Sequence, residues 1–163
     1  MTTAGPLDQH RERLRPEWID YNGHLNVAYY LLVFDHATDT FFDHVGLDRA
    51  YRAESNCSTF AVETHVSYLR ELQPDSEVRV TTQLLGFDEK RLHFFHNMYH
   101  AEEGFLSATN ECLSLHVDMA RRRVGPMPAT LLARLGEVMT DHSDLAIPEQ
   151  AGRAIALKRP KTA

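Results

Sequence analysis

Residues 19–46 read IDYNGHLNVAYYLLVFDHATDTFFDHVG, and this stretch decides the fold of the chain. A polar loop leads into a long segment in which apolar side chains recur at steps of three and four, the period of an α-helix. The recurring positions are Val27, Leu31, Phe34, Thr38, Phe41 and Val45, with Tyr30, Ala37 and Phe42 beside them. We therefore predict a heavily buried helix. Asn26 is a suitable N-cap for it, and Gly46 is a suitable stop.

The segments around this helix predict a β-sheet. Strands are predicted at residues 9–15, 59–72, 77–85, 91–100 and 105–118, a short helical turn and loop at residues 48–58, and a short helix at residues 128–139. Strict alternation in the second of these strands puts Phe60 on the face opposite to Glu63 and His65. This order of elements indicates an α+β protein in which one long helix lies on an antiparallel sheet.

The composition is that of an ordinary globular protein, with 163 residues of which 43% are hydrophobic and 25% are charged. A net charge of -6 argues against a general nucleic-acid-binding or anionic-membrane-binding protein. The longest apolar run, residues 28–34, is too short to span a bilayer. Cys57 and Cys112 lie far apart without zinc or redox spacing, and no secretory signal precedes the domain, so we expect a reduced, cytoplasmic protein.

We predict one domain over residues 1–140 and a polar C-terminal tail over residues 141–163, which needs another surface to become ordered. A single sheet around one helix leaves its edge strands and its other face uncovered. Pairing two copies would cover them, so we expect a homodimer, or a tetramer made of two such dimers.

The loop before the helix carries a known pattern. The segment Asp20-Tyr21-Asn22-Gly23-His24-Leu25-Asn26, with Tyr30 on the helix behind it, resembles the Asp-x-x-Gly-His-(Val/Leu/Met)-Asn signature of hotdog-fold acyl-CoA thioesterases of the 4-hydroxybenzoyl-CoA thioesterase type. The similarity covers residues 9–140 and includes Tyr68-Leu69-Arg70. It departs from the family at Ser76-Glu77, a turn where Gly-Asp is usual.

Within this family, residues 20–24 and 62–65 look most like the betainyl-CoA thioesterases of carnitine breakdown, and so does the tail Gly152-Arg153-x-Ile155. The resemblance implies a hotdog fold, in which the sheet wraps around the central helix. It also implies hydrolysis of a small acyl-CoA, with betainyl-CoA as the best guess, and no cofactor.

Hydrolysis of a thioester needs a carboxylate that activates water or attacks the carbonyl carbon, and a donor to the oxygen that gains charge. Asp20 lies on the loop directly before the helix and can supply the carboxylate, as base or as nucleophile. The first turn of the helix offers free amides at its positive end, and the resemblance assigns this role to the backbone N–H of Val27. Two roles stay open for His24, which either polarises the thioester or bonds the loop.

Gly23, Asn26 and Tyr30 are candidate substrate contacts beside these groups, and a turn glycine, a helix cap and a core side chain are their structural alternatives. Glu63 and His65 share a strand face because they are two residues apart. We expect them either to line a pocket across the dimer interface, where a carboxylate suits a trimethylammonium acyl group, or to form an exposed face with a salt bridge. Aromatic side chains suited to the same group are Trp18, Tyr29 and Phe60.

Basic side chains are needed to hold the phosphates of CoA. The candidates are Arg70, Lys90, Arg91 and the triplet Arg121–Arg123, for which a solvated charge run is the alternative. We expect no metal site, because His93, His96 and His100 fall at helical steps inside a predicted strand and would not converge. The chain also has no glycine-rich phosphate loop and no Gly-x-Ser-x-Gly motif.

Two other functions of the same fold have different sequence requirements. Enoyl-CoA hydratases and acyl-carrier dehydratases carry Asp-x-Asn-Pro-x-His, and here Gly23 replaces the proline while His24 comes one residue early. A non-catalytic acyl-CoA-binding or ligand-sensing domain of a transcriptional regulator needs a DNA-binding helix pair or basic face, for which this chain has no room. The motif therefore favours the thioesterase.

Overall fold

The computed structural model describes residues 5–157 and has an α+β architecture. Its helices are α1 (Val27–Val45), α2 (Arg49–Ser55) and α3 (Ala129–Asp141), and a 3-10 turn covers Pro16–Trp18. Its strands are β1 (Leu7–Arg13), β2 (Cys57–Tyr68), β3 (Glu77–Phe87), β4 (Arg91–His100), β5 (Leu106–Asp118) and β6 (Arg123–Val124). The antiparallel sheet has the order β1-β3-β4-β5-β2, with β6 paired to β5, and it curls around α1. The predicted fold class is confirmed.

Helix α1 begins and ends where the sequence predicted. The Asn26 side chain accepts a hydrogen bond from the Ala28 N–H at 3.0 Å. Gly46 ends the helix with a φ of 89°, in the left-handed region that glycine adopts without strain.

The predicted apolar stripe of α1 was wrong at its N-terminal end. Val27 and Leu31 are 58% and 42% exposed, whereas Val33 is fully buried. The buried positions are Tyr30, Val33, Phe34, Ala37, Phe41, Phe42 and Val45. Val27 and Leu31 therefore form, with the exposed Asp35, an outward ridge at steps of four along the helix. Apolar periodicity alone cannot tell a core face from an uncovered face of the same helix.

The core consists of two clusters along α1. Near its start, Phe34 packs with Val80 and Met98 of the sheet, and all three are buried. Further along, Phe41 and Phe94 pack with their ring centroids 5.3 Å apart. Burying one such aromatic side chain stabilises the fold by about 1.5–3 kcal/mol. Within residues 5–157, no helix has the length and apolar character needed to cross a membrane.

A bulge in β2 corrects the predicted faces of this strand. The register against β5 shifts between Ala61 and Glu63, which leaves Val62 without a partner position. Phe60 consequently lies on the same face as Glu63 and His65, not on the opposite one. The two polar residues do share a face, as predicted. Because β2 pairs only with β5, its second edge is unpaired in the described chain.

After α3 the chain runs back over the sheet. The His142 side chain is 3% exposed and accepts a hydrogen bond from the Leu84 N–H at 3.0 Å. Further on, the Gly152 N–H donates to the Glu111 carboxylate at 2.7 Å. Residues 142–157 form this returning segment, the strap. The first four residues of the predicted domain and residues 158–163 of the predicted tail lie outside the described residues.

His96 joins α1 to the sheet from within the core. Its imidazole is bonded to the hydroxyls of Thr38 and Thr82, each at 2.9 Å, and stacks on Phe34. Burial, with a smaller contribution from the charge on His10, lowers the pKa of His96 to about 3. The imidazole is therefore neutral at neutral pH.

Replacing Gly46 by alanine should destabilise the fold by about 1–2 kcal/mol, because an L side chain at a positive φ is strained. A Cβ there would also meet Leu131 Cδ2 at 3.4 Å. Gly136 in α3 is the matched control, since a Cβ there meets nothing within 4 Å and alanine should stabilise a helix by about 0.5–1 kcal/mol. Urea unfolding of both variants measures the two changes, and a Gly46→Ala variant as stable as the wild type would contradict this role.

The buried His96 should make the fold sensitive to acid. Its pKa is lower in the folded than in the unfolded state, so stability is lost as the pH falls from about 6.5 towards 3, by about 1.4 kcal/mol per pH unit. His96→Gln should remove this slope. Unfolding free energies of both proteins measured between pH 6 and 4 check this, and parallel curves would show that His96 does not carry the effect.

Candidate active site

Residues 18–26 close into a tight hairpin that leads directly into α1. Its backbone bonds are Asp20 N–H to His24 O at 3.1 Å, Gly23 N–H to Asp20 O at 3.0 Å, Leu25 N–H to Leu72 O at 2.9 Å and Asn26 N–H to Trp18 O at 3.0 Å. Gly23 has a φ of 80°, which explains why glycine occupies this turn. Asp20 is thereby held next to the residues that start the helix.

The Asp20 carboxylate keeps one oxygen available. Its Oδ1 accepts the Asn22 N–H at 2.8 Å, which orients the group. No donor within residues 5–157 bonds Oδ2. The side chain is only partly exposed. A fixed, half-buried carboxylate with one open oxygen is suited to take a proton or to attack a carbonyl carbon.

The first turn of α1 leaves the Val27 amide open. Asn26 satisfies the next two amides, since its side chain accepts from Ala28 and its carbonyl accepts from Tyr29 at 3.0 Å. The Val27 N–H has no acceptor among residues 5–157. It points out from the positive end of a 19-residue helix, where a developing negative charge is stabilised. Asn26 therefore acts as the helix cap, and Val27 carries the free donor.

Several predicted site residues meet in one cleft at this helix start. The cleft has a volume of about 190 Å³ and is lined by His24, Leu25, Val27, Tyr30, Tyr68, Leu69, Arg70 and Glu71. His24 Nδ1 lies 3.2 Å from the Leu25 carbonyl oxygen, and its Nε2 lies 3.8 Å from the Glu71 carboxylate. Tyr30 is 4% exposed, so it belongs mainly to the core, and burial raises its pKa.

A second cavity, of about 380 Å³, lies between α1 and the sheet. Its lining includes Ala28, Leu31, Leu32, Asp35, Thr64, Phe94, Asn110 and Cys112. Asp35 brings the only carboxylate in this lining, and sequence reasoning missed it. The signal was present, since Asp35 follows Val27 and Leu31 at steps of four on the helix.

Other predicted site residues lie away from Asp20 within one chain. Glu63 and His65 line a cavity of about 340 Å³ on the outer face of the sheet, opposite to α1. Glu111 lines the same cavity and accepts from His93 Nε2 at 2.7 Å. Arg91 lies at the β3–β4 turn, where its Nε donates to the Asp88 carboxylate at 2.6 Å and lowers the pKa of that group.

Comparison by sequence gives consistent relatives. The family profile described as thioesterase-like superfamily matches residues 14–135. A betainyl-CoA thioesterase of Pseudomonas aeruginosa is 44% identical over 142 residues, which covers 87% of this chain and 89% of that protein. An L-carnitine dehydrogenase/betainyl-CoA thioesterase of Rhizobium meliloti is 36% identical, over 98% of this chain and 32% of that protein. This chain thus spans about a third of the fused relative.

Comparison with solved structures agrees with the sequence relatives. A hypothetical protein of Staphylococcus aureus, solved in complex with CoA, has a TM-score of 0.85 at 28% identity and covers 94% of this chain and 99% of its own. A candidate thioesterase of Pseudomonas putida KT2440 has a TM-score of 0.82 at 37% identity, and the match covers 95% of this chain and 99% of that chain.

Proposed function

This chain belongs to the thioesterase-like superfamily, and on that premise we propose that it hydrolyses betainyl-CoA to glycine betaine and CoA. It is a thioester hydrolase. The substrate is supported by the Pseudomonas aeruginosa relative, whose similarity extends over most of both chains.

Two observations carry this proposal: the Asn22 N–H orients the Asp20 carboxylate on the hairpin that leads into α1, and the Val27 amide at the start of that helix is unbonded within the described residues. The carbonyl oxygen of the thioester would accept the Val27 N–H, which stabilises the charge it gains during attack. Asp20 would either take a proton from the attacking water or attack the carbonyl carbon itself. On the first route water adds to the carbonyl carbon, the C–S bond breaks, and CoA leaves as the thiolate, which takes up the proton held by Asp20. On the second route Asp20 displaces the thiolate and forms a mixed anhydride, which water then hydrolyses to release the acid and restore the carboxylate.

A second copy of the chain completes the site in this proposal. The free edge of β2 carries exposed apolar side chains, with Phe60 at 39%, Val62 at 53% and Tyr68 at 51% exposure. Such an edge is stabilised when an identical strand adds to it in antiparallel direction. The exposed ridge of Val27 and Leu31 on α1 would be covered in the same step. A homodimer joined through β2 therefore fits the surface.

Antiparallel pairing of β2 would also supply groups for the CoA phosphates. Pairing about the middle of β2 places Cys57 of one copy near Tyr68 and Arg70 of the other. Cys57 pairs with Asp118, and the turn with the arginine triplet follows Asp118 directly. We therefore expect Arg70 of one copy and the arginine turn 121–123 of the other to hold the phosphates. Arg91, on the β3–β4 turn, stays a further candidate.

The trimethylammonium group of the substrate needs apolar walls and a nearby negative charge. The cavity beside α1 offers both, since Leu31 and Leu32 supply apolar contacts and Asp35 supplies a carboxylate. Glu63 and His65 face the other side of the sheet, so they would serve only in a pocket formed with the second copy. Asp35 is thus the carboxylate that the fold of a single chain best supports for this role.

Asp20→Asn should lower kcat for betainyl-CoA by about 10²–10⁴-fold, because the amide can neither take the proton nor attack. Asp39→Asn is the matched control, since Asp39 is exposed on α1 and lies about 18 Å along the helix from Val27. Release of free thiol from betainyl-CoA measures both variants. A kcat for Asp20→Asn within threefold of the control would contradict the proposed role of Asp20.

Asp35→Asn should reduce the preference for betainyl-CoA over 3,3-dimethylbutyryl-CoA, its uncharged isostere, by about tenfold, because only the charged acyl group is attracted by the carboxylate. The measurement is the ratio of kcat/KM for the two substrates. Glu63→Gln in the same assay tests the other candidate. If the ratio changes for Glu63→Gln and not for Asp35→Asn, the trimethylammonium group binds in a pocket formed with the second copy, and the proposed role of Asp35 is contradicted.

A further inference from the structure

The strap crosses the outer face of the sheet in a definite direction. Gln83 Nε2 of β3 donates to the Ala146 carbonyl at 3.3 Å, and Gly152 then bonds Glu111 of β5. Arg153 next lines the outer cavity together with Glu63 of β2. In the order β3-β4-β5-β2, the strap therefore advances towards the free edge of the sheet.

The end of the strap carries apolar side chains that nothing covers within the described chain. Ile155 is 92% exposed and Leu157 is 94% exposed. An extended chain advances about 3.3 Å per residue, so Leu157 reaches about 16 Å beyond Gly152. Neighbouring strands lie about 4.8 Å apart, so this reach equals roughly three strands. Only β2 lies beyond β5 in the described chain, so a strap that continues extended in this direction would pass the edge.

We propose that Ile155 and Leu157 form an exchanged C-terminal arm, which packs on the outer sheet face of a second copy. This inference rests on the β2-joined homodimer proposed above. In such a dimer the sheet continues from β5 to β2 of the same copy, and then to β2 and β5 of the second copy. A reach of three strand spacings from β5 therefore places Leu157 over β5 of the second copy. Leu113 lies on the outer face of that strand and is only half-buried. Leu115, two residues on along the same face, pairs with Phe60 of β2, which is 39% exposed.

The direction of the strap indicates that the arm packs on a second copy of this chain. The free edge of β2 is where the strap is heading, and the same edge is the surface that an identical strand would pair with. By two-fold symmetry each copy would give one arm and receive one, so both exposed pairs of side chains would be covered at once.

The direct test is cross-linking. Leu157→Cys and Leu113→Cys are combined in one chain in which Cys57 and Cys112 are replaced by serine, and the protein is treated with a short bismaleimide. The expected product is a covalent dimer on a denaturing gel, with no dimer from either single cysteine variant. A cross-linked monomer, or no cross-link between these positions, would overturn the arm.

A second measurement does not depend on the engineered cysteines. Replacing Ile155 and Leu157 by aspartate should raise the dissociation constant of the dimer by at least tenfold in sedimentation equilibrium. Ile147→Asp is the matched control, because Ile147 is 76% exposed on the strap well before the edge, and its effect should stay within threefold. Equal dissociation constants for both variants would overturn the arm.

These outcomes are separate from those that test the enzyme. If the wild type is a dimer that hydrolyses betainyl-CoA and the arm variants match the control, the arm fails and the proposed function stands. A monomeric wild type at assay concentrations would overturn the arm and the proposed dimer together, whereas loss of thiol release by the wild type bears on the substrate alone.

Discussion

The position of the first turn of α1 is the constraint on which the rest of the structure depends. Leu25 and Asn26 are fixed by backbone bonds to Leu72 and Trp18, and Trp18, Leu25 and Leu72 are themselves buried in the core. The helix cannot shift along its axis without breaking these bonds and moving Phe34 out of the core. Because its start is fixed in this way, the Val27 amide and the Asp20 carboxylate are held in place before a substrate binds, which is how a site avoids reorganisation during the reaction.

Three features that a single chain leaves uncovered or unpaired lie close together: a ridge on α1, the edge of β2 and the end of the strap. The ridge of Val27 and Leu31 borders the helix start, the edge of β2 lies beside the cavity along α1, and the strap runs from β3 towards the same edge. One antiparallel pairing of β2 would cover all three and bring the arginine turn to the cleft. Catalysis and assembly would then depend on the same strand, so that a change at β2 would affect both.

Local interactions made part of this structure predictable. The cap at Asn26 and the stop at Gly46 depend on neighbouring residues, and the sequence predicted them. The segment around Gly23 was predicted only as a polar loop, because its hairpin depends on bonds to Trp18 and Leu72. The bulge at Val62 depends on pairing with β5, so strict alternation assigned Phe60 to the wrong face. Val27 and Leu31 were assigned to the core because an apolar side chain has the same pattern whether its own chain or a second copy covers it. Asp35 was missed because a charged residue on a helix usually faces water, so the pattern gave no sign that it lines a cavity.

The central claim is that the Val27 N–H stabilises the oxygen of the thioester during attack. Replacing Val27 by its α-hydroxy acid exchanges this N–H for an ester oxygen and keeps the side chain. The account predicts that kcat for betainyl-CoA falls by about 10²–10³-fold, the typical loss for one such donor, while the protein keeps its thermal unfolding midpoint within a few degrees. A kcat within threefold of the wild type would contradict the account.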